Sequence, residues 1–437
     1  MAALVVLLAA AAAARGELNG SAAVLLTAPV DSEAGQLPVE YLLLRNEFAL
    51  SQSPSSLEAA VVEVTALQSD EKILSSYKLW VNGVPISNGP GRNVDCHGFS
   101  DPMAQHCTNA SQGVDVLSVR HAINQTSVAL ALQGWSWGGG PPPRGHGRAG
   151  GIMLLLTLRY SDGSAQTVAT TNREAGDDAA GSGGWLTYNA TPAFNPGKGV
   201  GGMYFQPAEN MLMAHYPQGW RLPGYQATAS AGWLPAVPSE TLGVSLRTPL
   251  APKGSAAVVQ ELRPAAALTP IVPANCSGYR YLVDMGRELQ GGLTLTINGT
   301  GFAGRSFRVW LGETLQTNGS VRWHMTAGCA YEETWTLADG LNVFDMGQEY
   351  KEWRWAELLE LPAPIGKHRR LPTPLRAGLG APLRPAALQS CRRSARGLSA
   401  THSRLRTQPS TCLSPRRRLA LGTVLLAWRR FRLRTMR

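Results

Sequence analysis

The sequence is short of charge and of aromatic residues, and its apolar runs are short. Only 16% of its 437 residues are charged and 7% are aromatic. The apolar runs Ala2–Ala14 and Leu419–Trp428 fall below the roughly 20 residues of a membrane-spanning helix. The low charge excludes a disordered acidic chain, and 47 Gly with 29 Pro argue against a helical bundle. A turn-rich β protein with no membrane span is therefore predicted, long enough for two or three domains.

Acidic side chains are absent from the last 75 residues, 363–437, which contain 17 Arg and one Lys. The other 362 residues hold 22 basic and 30 acidic side chains, so the overall charge of +10 comes entirely from the tail. The mildly acidic body gives no electrostatic reason to bind nucleic acid. The excess of Arg over Lys predicts a disordered tail, or the product of out-of-frame or unspliced translation. A basic arm for anionic surfaces is the alternative.

Several features predict a secreted glycoprotein. The apolar run Ala2–Ala14 leads to small residues at the positions that a signal peptidase requires, so residues 1–16 are predicted to be a signal peptide. A transit peptide or a frayed Ala-rich helix is the alternative. Seven of the 15 Asn lie in glycosylation sequons, whereas chance gives about two. The seven are Asn19, Asn109, Asn124, Asn189, Asn275, Asn298 and Asn318.

Cysteine is also scarce, with six residues in the whole chain. The four in the body predict one disulfide in each half, and a zinc site in the first half is the alternative. An oxidising compartment disfavours zinc, because disulfide formation removes the thiolates that the metal needs. No other metal-ligand spacing or cofactor-binding motif is present, so neither a metal nor a cofactor is predicted. The pairs are Cys96 with Cys107, which enclose His97 and His106, and Cys276 with Cys329.

Hydrophobic periodicity in the body is mostly two, as in β-strands. Tyr77–Val81 and Val84–Ser87 flank Asn82-Gly83, a dipeptide that favours a type I′ hairpin turn. A second hairpin is predicted at Ile152–Tyr160 and Gln166–Thr170. The many short strands indicate an all-β fold of two sandwiches, at 37–238 and 255–362. Further strands are predicted at Ala60–Leu67, Val114–Arg120, Ser127–Leu132, Ala256–Leu262, Tyr279–Asp284, Leu293–Ile297, Phe307–Leu311, Glu332–Leu337 and Tyr350–Leu359.

A colinear series of short motifs runs from about residue 70 to residue 361. They are Tyr77-Lys-Leu-Trp-Val-Asn-Gly-Val84, Asn88-Gly-Pro90, Gly134-Trp-Ser-Trp-Gly138, Leu158-Arg-Tyr-Ser-Asp-Gly163, Gln218-Gly-Trp220, Gly224-Tyr225, Gly232-Trp233, Tyr281-Leu-Val-Asp-Met-Gly286, Gly291-Gly292, Glu333-Thr-Trp-Thr-Leu337 and Tyr350-Lys-Glu-Trp-Arg-Trp-Ala-Glu-Leu358. In this order they resemble the accessory β-sandwich region of the bacterial-type α-L-rhamnosidases, glycoside hydrolase family 78. The resemblance implies a jelly-roll or galactose-binding-like first sandwich and a concanavalin-like second one.

The resemblance also implies hydrolysis of terminal α-L-rhamnosides, but by an α-helical six-hairpin barrel that follows the sandwiches. Twelve helices of about 11 residues with their connections need well over 150 residues, and only 75 remain. An inverting glycosidase also needs two carboxyl groups, and the tail has none. We therefore predict no catalytic residue and no hydrolysis by the chain as written. A lectin-like protein and a non-functional truncated product are the alternatives.

Tryptophan pairs are the candidate carbohydrate-binding residues, since an aromatic face covers the apolar face of a sugar. Trp135 and Trp137 share one side of a strand, and the neighbouring glycines are typical of a loop rim. Trp353 and Trp355 form a similar pair, for which packing in a core is the preferred interpretation. Glu332 and Glu333 point to opposite faces and are predicted to be solvated strand or loop residues.

Overall fold

A computed structural model describes residues 26–27, 41–67, 74–89, 112–137, 151–170, 184–194, 209–238, 250–252, 258–260, 262–271, 278–324, 330–345, 351–362, 364–365, 427–429 and 432–433. Within these ranges the protein is all-β, with strands in four sheets, which confirms the predicted fold class. Helical structure there is confined to 3-10 turns at Pro54–Ser56, Arg120–Ala122, Thr191–Ala193, Met213–His215 and Ala229–Ala231. None of these turns is long enough to cross a membrane. The predicted signal peptide, all six cysteines, His97 and His106 lie outside the described residues.

Sheets A and B form the first sandwich. In spatial order, sheet A contains β13 (Val237–Pro238), β1 (Leu26–Thr27), β8 (Gly151–Tyr160), β3 (Leu57–Leu67), β6 (Gln112–Ser118) and β14 (Leu250–Pro252), with β9 (Ala165–Ala169) also paired to β8. Sheet B contains β12 (Leu234–Pro235), β10 (Leu186–Asn189), β2 (Tyr41–Ala49), β7 (Ser127–Trp137), β4 (Leu74–Val81), β5 (Val84–Gly89), β15 (Val258–Val259) and β25 (Arg432–Leu433).

The first core lies between these two sheets, because alternate side chains of each strand face the other sheet. Leu42 and Leu44 of β2, Leu79 of β4, and Leu154 and Leu156 of β8 all belong to it. Residues at the intervening positions of sheet B are buried as well, but they belong to a second core. Sheet B therefore has two buried faces.

Both predicted hairpins are confirmed. Asn82 and Gly83 have φ angles of 51° and 76°, as a type I′ turn requires, and Val81 pairs with Val84 across the turn. In the second hairpin the Gly163 amide donates to the Tyr160 carbonyl over 2.9 Å, and Gly163 has a φ of 84°. Asn82 and Gly83 in the first turn, and Gly163 in the second, thus supply the left-handed backbone that each turn needs.

Sheets C and D form the second sandwich. Sheet C contains, in spatial order, β11 (Met211–Leu212), β21 (Glu332–Thr336), β20 (Ser306–Gly312), β23 (Lys351–Leu361), β18 (Tyr279–Gly291) and β17 (Ala267–Ile271). Sheet D contains β16 (Leu262–Pro264), β24 (Ala427–Arg429), β19 (Leu293–Asn298) and β22 (Leu341–Asp345). All the strands predicted in this half correspond to observed ones, although Ala256–Leu262 is divided between β15 and β16.

The segment 209–238 joins the two sandwiches. Its first strand, β11, pairs with β21 in sheet C, and its last two, β12 and β13, pair with sheets B and A. Between these strands, the side chains of Trp220 and Trp233 are buried against the outer face of sheet B. The segment is therefore a packed layer that belongs to both sandwiches. The limits 37–238 and 255–362 stay a prediction.

Two short strands of the tail, β24 and β25, are placed in sheets D and B. Arg429 pairs with Leu262 in β16, and Leu433 pairs with Val258 in β15. The remaining tail residues from 366 onward lie outside the described ranges. The prediction of a disordered tail concerns mainly those residues.

Candidate functional site

The structure places Trp135 in the core and not on a loop rim. Its side chain is 4% exposed, and its ring stacks on Tyr41 with centroids 6.2 Å apart. A Cβ atom on Gly134 would lie 3.0 Å from Ile152 Cδ1, so this glycine allows close packing between the sheets. Trp137 ends β7, and its side chain lies outside the described part of the chain. Gly134, one of the glycines that predicted an open rim, thus has a packing role, and Trp135 offers no free ring face.

The motif residues around Trp135 build an aromatic layer between the sandwiches. Trp80 of sheet B packs edge-on against Trp220 at 5.8 Å, and Trp220 lies 6.0 Å from Trp233. The Trp220 indole N–H donates to the Tyr216 hydroxyl over 3.0 Å, and that hydroxyl donates to Gln133 Oε1 over 3.1 Å. Buried aromatics with satisfied polar atoms stabilise a fixed arrangement of neighbouring layers.

Buried charges tie the same layer to both sandwiches. The Arg45 guanidinium of β2 donates to the Trp220 carbonyl over 2.8 Å and pairs with Glu47. Burial lowers the pKa of Arg45, and the neighbouring Glu47 carboxylate opposes this shift. Arg221 pairs with Asp345 of β22 at 2.6 Å, and Lys78 of β4 donates to the Asp345 carbonyl over 3.3 Å. These contacts link sheet B directly to sheet D.

A second buried cluster, the Glu209–Lys351–Glu333 triad, lies inside the second sandwich. All three side chains are 1% exposed. The Lys351 ammonium contacts Glu333 Oε1 and lies 3.5 Å from Glu209 Oε2. Glu333 Oε2 is buried without a hydrogen-bond partner. Burial and the Glu209 charge raise the pKa of Glu333 to about 7, although Lys351 acts in the opposite direction.

This triad corrects one expectation from the sequence. Glu332 and Glu333 do point to opposite faces of β21, and Glu332 pairs with Arg308 at 3.5 Å on the outer face. Glu333, however, points inward and is not solvated. Its partners lie 18 and 124 positions away in the chain, so no local pattern reveals them.

Glu333 has the pKa of a catalytic group, but a substrate cannot reach the triad. A carboxyl group with a pKa near 7 suits general acid catalysis at neutral pH. Its partners Glu209 and Lys351 are as buried as Glu333 itself, so a sugar has no approach to the carboxyl groups. In the described part of the chain, no group of three or more His, Cys, Asp or Glu is placed to hold a metal ion. The triad is therefore a structural element.

Trp353 and Trp355 differ, although both belong to β23. Trp353 is fully buried, and its indole N–H donates to the Gly291 carbonyl over 3.0 Å. Trp355 is half-buried on the outer face, where the Arg354 guanidinium lies 4.5 Å from its ring centroid. The predicted packing in a core therefore applies to Trp353 and not to Trp355. The pairing of β23 with β18 shifts in register between these two tryptophans, which separates their environments.

Four of the seven sequon asparagines lie among the described residues. Asn124 and Asn318 are exposed, whereas Asn189 and Asn298 are half-buried. Exposure is what a bulky glycan requires, so Asn124 and Asn318 are the better placed acceptors. Glycosylation itself stays a prediction, and Asn19, Asn109 and Asn275 lie outside the described ranges.

No family model and no curated protein matches this sequence. Among solved structures, it is similar to the α-L-rhamnosidase from Dictyoglumus thermophilum, with 16% identity and a TM-score of 0.47 over 78% of this chain and 34% of that one. The α-L-rhamnosidase from Streptomyces avermitilis, complexed with L-rhamnose, gives 19% identity and a TM-score of 0.45 over 75% and 28%. A lectin from Pleurotus ostreatus gives 14% identity and a TM-score of 0.29 over 78% and 74%. The chain thus spans about a third of the length of these rhamnosidases.

Proposed function

We propose that this chain is the accessory β-sandwich region of a secreted α-L-rhamnosidase-like glycoside hydrolase and does not itself cleave glycosides. The observation that carries the proposal is the location of the motifs on which the resemblance depends. Trp80, Trp220, Trp233, Trp335 and Trp353 are all buried at 2% exposure or less. Residues in such positions hold layers together, which is the role of a scaffold.

The placement of the carboxyl groups supports the absence of hydrolysis. An inverting glycosidase holds two carboxyl groups about 6.5–9.5 Å apart across a site that admits the sugar. Glu209 and Glu333 share one ammonium group in a closed interior. Glu357 is also fully buried, and its carboxylate pairs with Arg280 and accepts from the Ser320 hydroxyl.

Incubation of the purified chain with an aryl α-L-rhamnoside tests this proposal. We expect no release of the aryl alcohol above the rate of a heat-denatured control. Release by the native chain that survives repeated purification would contradict the proposal. The Glu333→Gln variant is the matched control, because loss of such release in a stably folded variant would locate the activity in the triad.

Secretion with glycosylation is the second part of the proposal, supported by the exposure of Asn124 and Asn318. Expression in a eukaryotic secretory host, followed by endoglycosidase digestion, is expected to lower the apparent mass. Asn318→Gln should reduce that decrease in apparent mass by the mass of one glycan. An unchanged mass after digestion would mean that the sequons are not used.

Lectin-like carbohydrate binding is a second candidate function. The observation that favours it is that sheet C carries half-exposed tryptophans on its outer face, away from the core. Titration of the chain with L-rhamnose, galactose and oligosaccharides tests this function. Saturable binding to at least one sugar is expected, and a flat response to all of them would exclude it.

A further inference from the structure

The outer face of sheet C carries a stacked pair of indoles, Trp310 and Trp323. We infer that this pair is a binding site for a neutral sugar. The inference rests on the carbohydrate-binding function proposed above, and it adds the surface and the class of ligand. Trp135, to which the sequence pointed, is buried in the core and is not part of this surface.

The alternation of β20 places Trp310 outward. Phe307, Val309 and Leu311 are fully buried in the core of the second sandwich. Because neighbouring side chains of a strand point to opposite faces, Arg308 and Trp310 lie on the outer face. Trp310 is half-buried there, with Glu332 of β21 and Glu357 of β23 as its cross-strand neighbours.

Trp323 reaches Trp310 from the connection between β20 and β21. The chain folds back over Gly312, where a Cβ atom would lie 2.5 Å from the Arg322 carbonyl oxygen. This close approach requires glycine. Trp323 then lies on Trp310 with ring centroids 5.4 Å apart and an angle of 24° between the planes. The Tyr331 amide donates to the Trp323 carbonyl over 3.0 Å, which fixes the backbone at this point.

Polar groups frame the pair on both sides. The Arg308 guanidinium lies 5.3 Å from the centroid of Trp310 and pairs with Glu332 at 3.5 Å and with Glu360 at 2.7 Å. On the other side, the exposed His324 ring meets Trp323 edge-on at 5.7 Å. Donors and acceptors are therefore held beside an aromatic surface.

Packing within the protein does not account for Trp310 completely. Its indole nitrogen is covered and has no hydrogen-bond partner. A buried indole N–H normally finds an acceptor, and leaving it unpaired lowers the stability of the fold. Trp310 is only half-buried on the outer face of sheet C, so packing in a core does not offset this loss.

The chemistry of the surface selects the class of ligand. Aromatic faces contact the C–H groups of a pyranose, and the flanking side chains reach its hydroxyl groups. The Arg308 guanidinium beside Trp310 is already paired with two carboxylates, so it is not available to neutralise an acidic sugar. Uronic acids and sulfated sugars are therefore disfavoured, and a neutral pyranose is the expected ligand.

Tryptophan fluorescence and calorimetric titration with neutral sugars test the site. L-rhamnose and galactose are the neutral probes, and galacturonic acid is the acidic one. Trp323→Ala is expected to weaken binding about tenfold, whereas Trp323→Phe, which keeps a ring face, should retain most of it. Tyr279→Ala is the matched control, because Tyr279 is an exposed aromatic residue of the same sheet, 44% exposed, outside the pair. Thermal unfolding of each variant checks that the fold persists.

The outcomes separate the inference from the proposed function. If the wild-type chain binds no sugar, the carbohydrate-binding function and the site both fail. If it binds sugar and folded Trp323→Ala binds equally well, the site is wrong although the function stands. Tighter binding of galacturonic acid than of galactose would overturn the ligand class. Binding of a proline-rich peptide at Trp323 in place of any sugar would make the surface a peptide site.

Discussion

Sheets B and C differ in what covers their second face. Sheet B packs against sheet A on one side and against the aromatic layer of Trp220 and Trp233 on the other. Sheet C faces its core with one side only, and its outer face is partly open at Trp310 and Trp355. A sheet with two covered faces has little freedom for function, whereas a half-open sheet presents side chains to a ligand. The buried tryptophans around sheet B therefore hold layers together, whereas the half-buried ones on sheet C are candidates for binding.

Replacement of a tryptophan in the covered layer is the strongest test of this contrast. Trp220→Ala removes a fully buried indole and is expected to cost about 3–5 kcal/mol of unfolding free energy. Trp355→Ala, on the open face of sheet C, is the matched control and should cost less than half of that. Chemical denaturation of both variants measures the difference. Equal losses would mean that the two faces are covered alike.

The pH dependence of stability tests the triad beneath sheet C. Glu333 keeps its proton up to pH about 7 in the folded chain, whereas an ordinary glutamate loses it near 4.5. Between these values the folded state binds more protons, so the free energy of unfolding should fall as pH rises, by up to about 3 kcal/mol. Glu333→Gln should remove this slope. Chemical denaturation of the wild-type chain and of Glu333→Gln from pH 4.5 to 8 measures this slope. The contributions of the other titrating groups cancel when the two free energies of unfolding are subtracted. If the free energies of unfolding of the two chains change with pH in the same way, the raised pKa of Glu333 is contradicted.

A substitution at Gly312 tests how tightly the connection between β20 and β21, which contains Trp323, lies on sheet C. Gly312→Ala would place a Cβ atom 2.5 Å from a backbone oxygen, so the connection must move at a cost of about 1–3 kcal/mol. It should also separate the stacked indoles and change their fluorescence. Gly163→Ala is the control, because that glycine has a φ of +84° but no atom within 4 Å of the added group. Its backbone strain should lower stability without altering the emission of Trp323.

The smallest effect is expected at the surface ion pair of sheet C. Asp284 and Arg354 meet at 2.9 Å with side-chain exposures of 21% and 39%, and Arg354 lowers the pKa of Asp284. Such pairs contribute little and are screened by salt. Asp284→Asn should therefore reduce stability slightly at low ionic strength and not at high ionic strength. A large loss that salt does not reduce would place this pair among the buried ones.

Local patterns predicted the hairpins and most strands but missed β2, the strand between β10 and β7 in sheet B. Tyr41, Leu42, Leu43 and Leu44 are consecutive and all buried, because alternate residues enter different cores. A strand covered on both faces loses the alternation that marks a strand in sequence. Strand β20 of sheet C keeps that alternation and was predicted correctly.

The candidate site was less predictable than the fold. Trp310 and Trp323 are 13 positions apart, and their stacking depends on a fold-back over Gly312 that no strand pattern encodes. Trp135 has glycine neighbours that are typical of a rim, yet Gly134 serves the approach of Ile152. The family resemblance implied two sandwiches, and it gave no information on which tryptophans are exposed.

Both faces of sheet B are covered, but the central strands of the sheet are synthesised before the layer that covers its outer face. These strands are complete when residue 137 has been made, whereas the aromatic layer that covers the outer face ends at Trp233. At 5–20 residues per second, this delay lasts roughly 5–20 s. Throughout that interval the nascent chain displays a broad apolar surface that invites association with other chains.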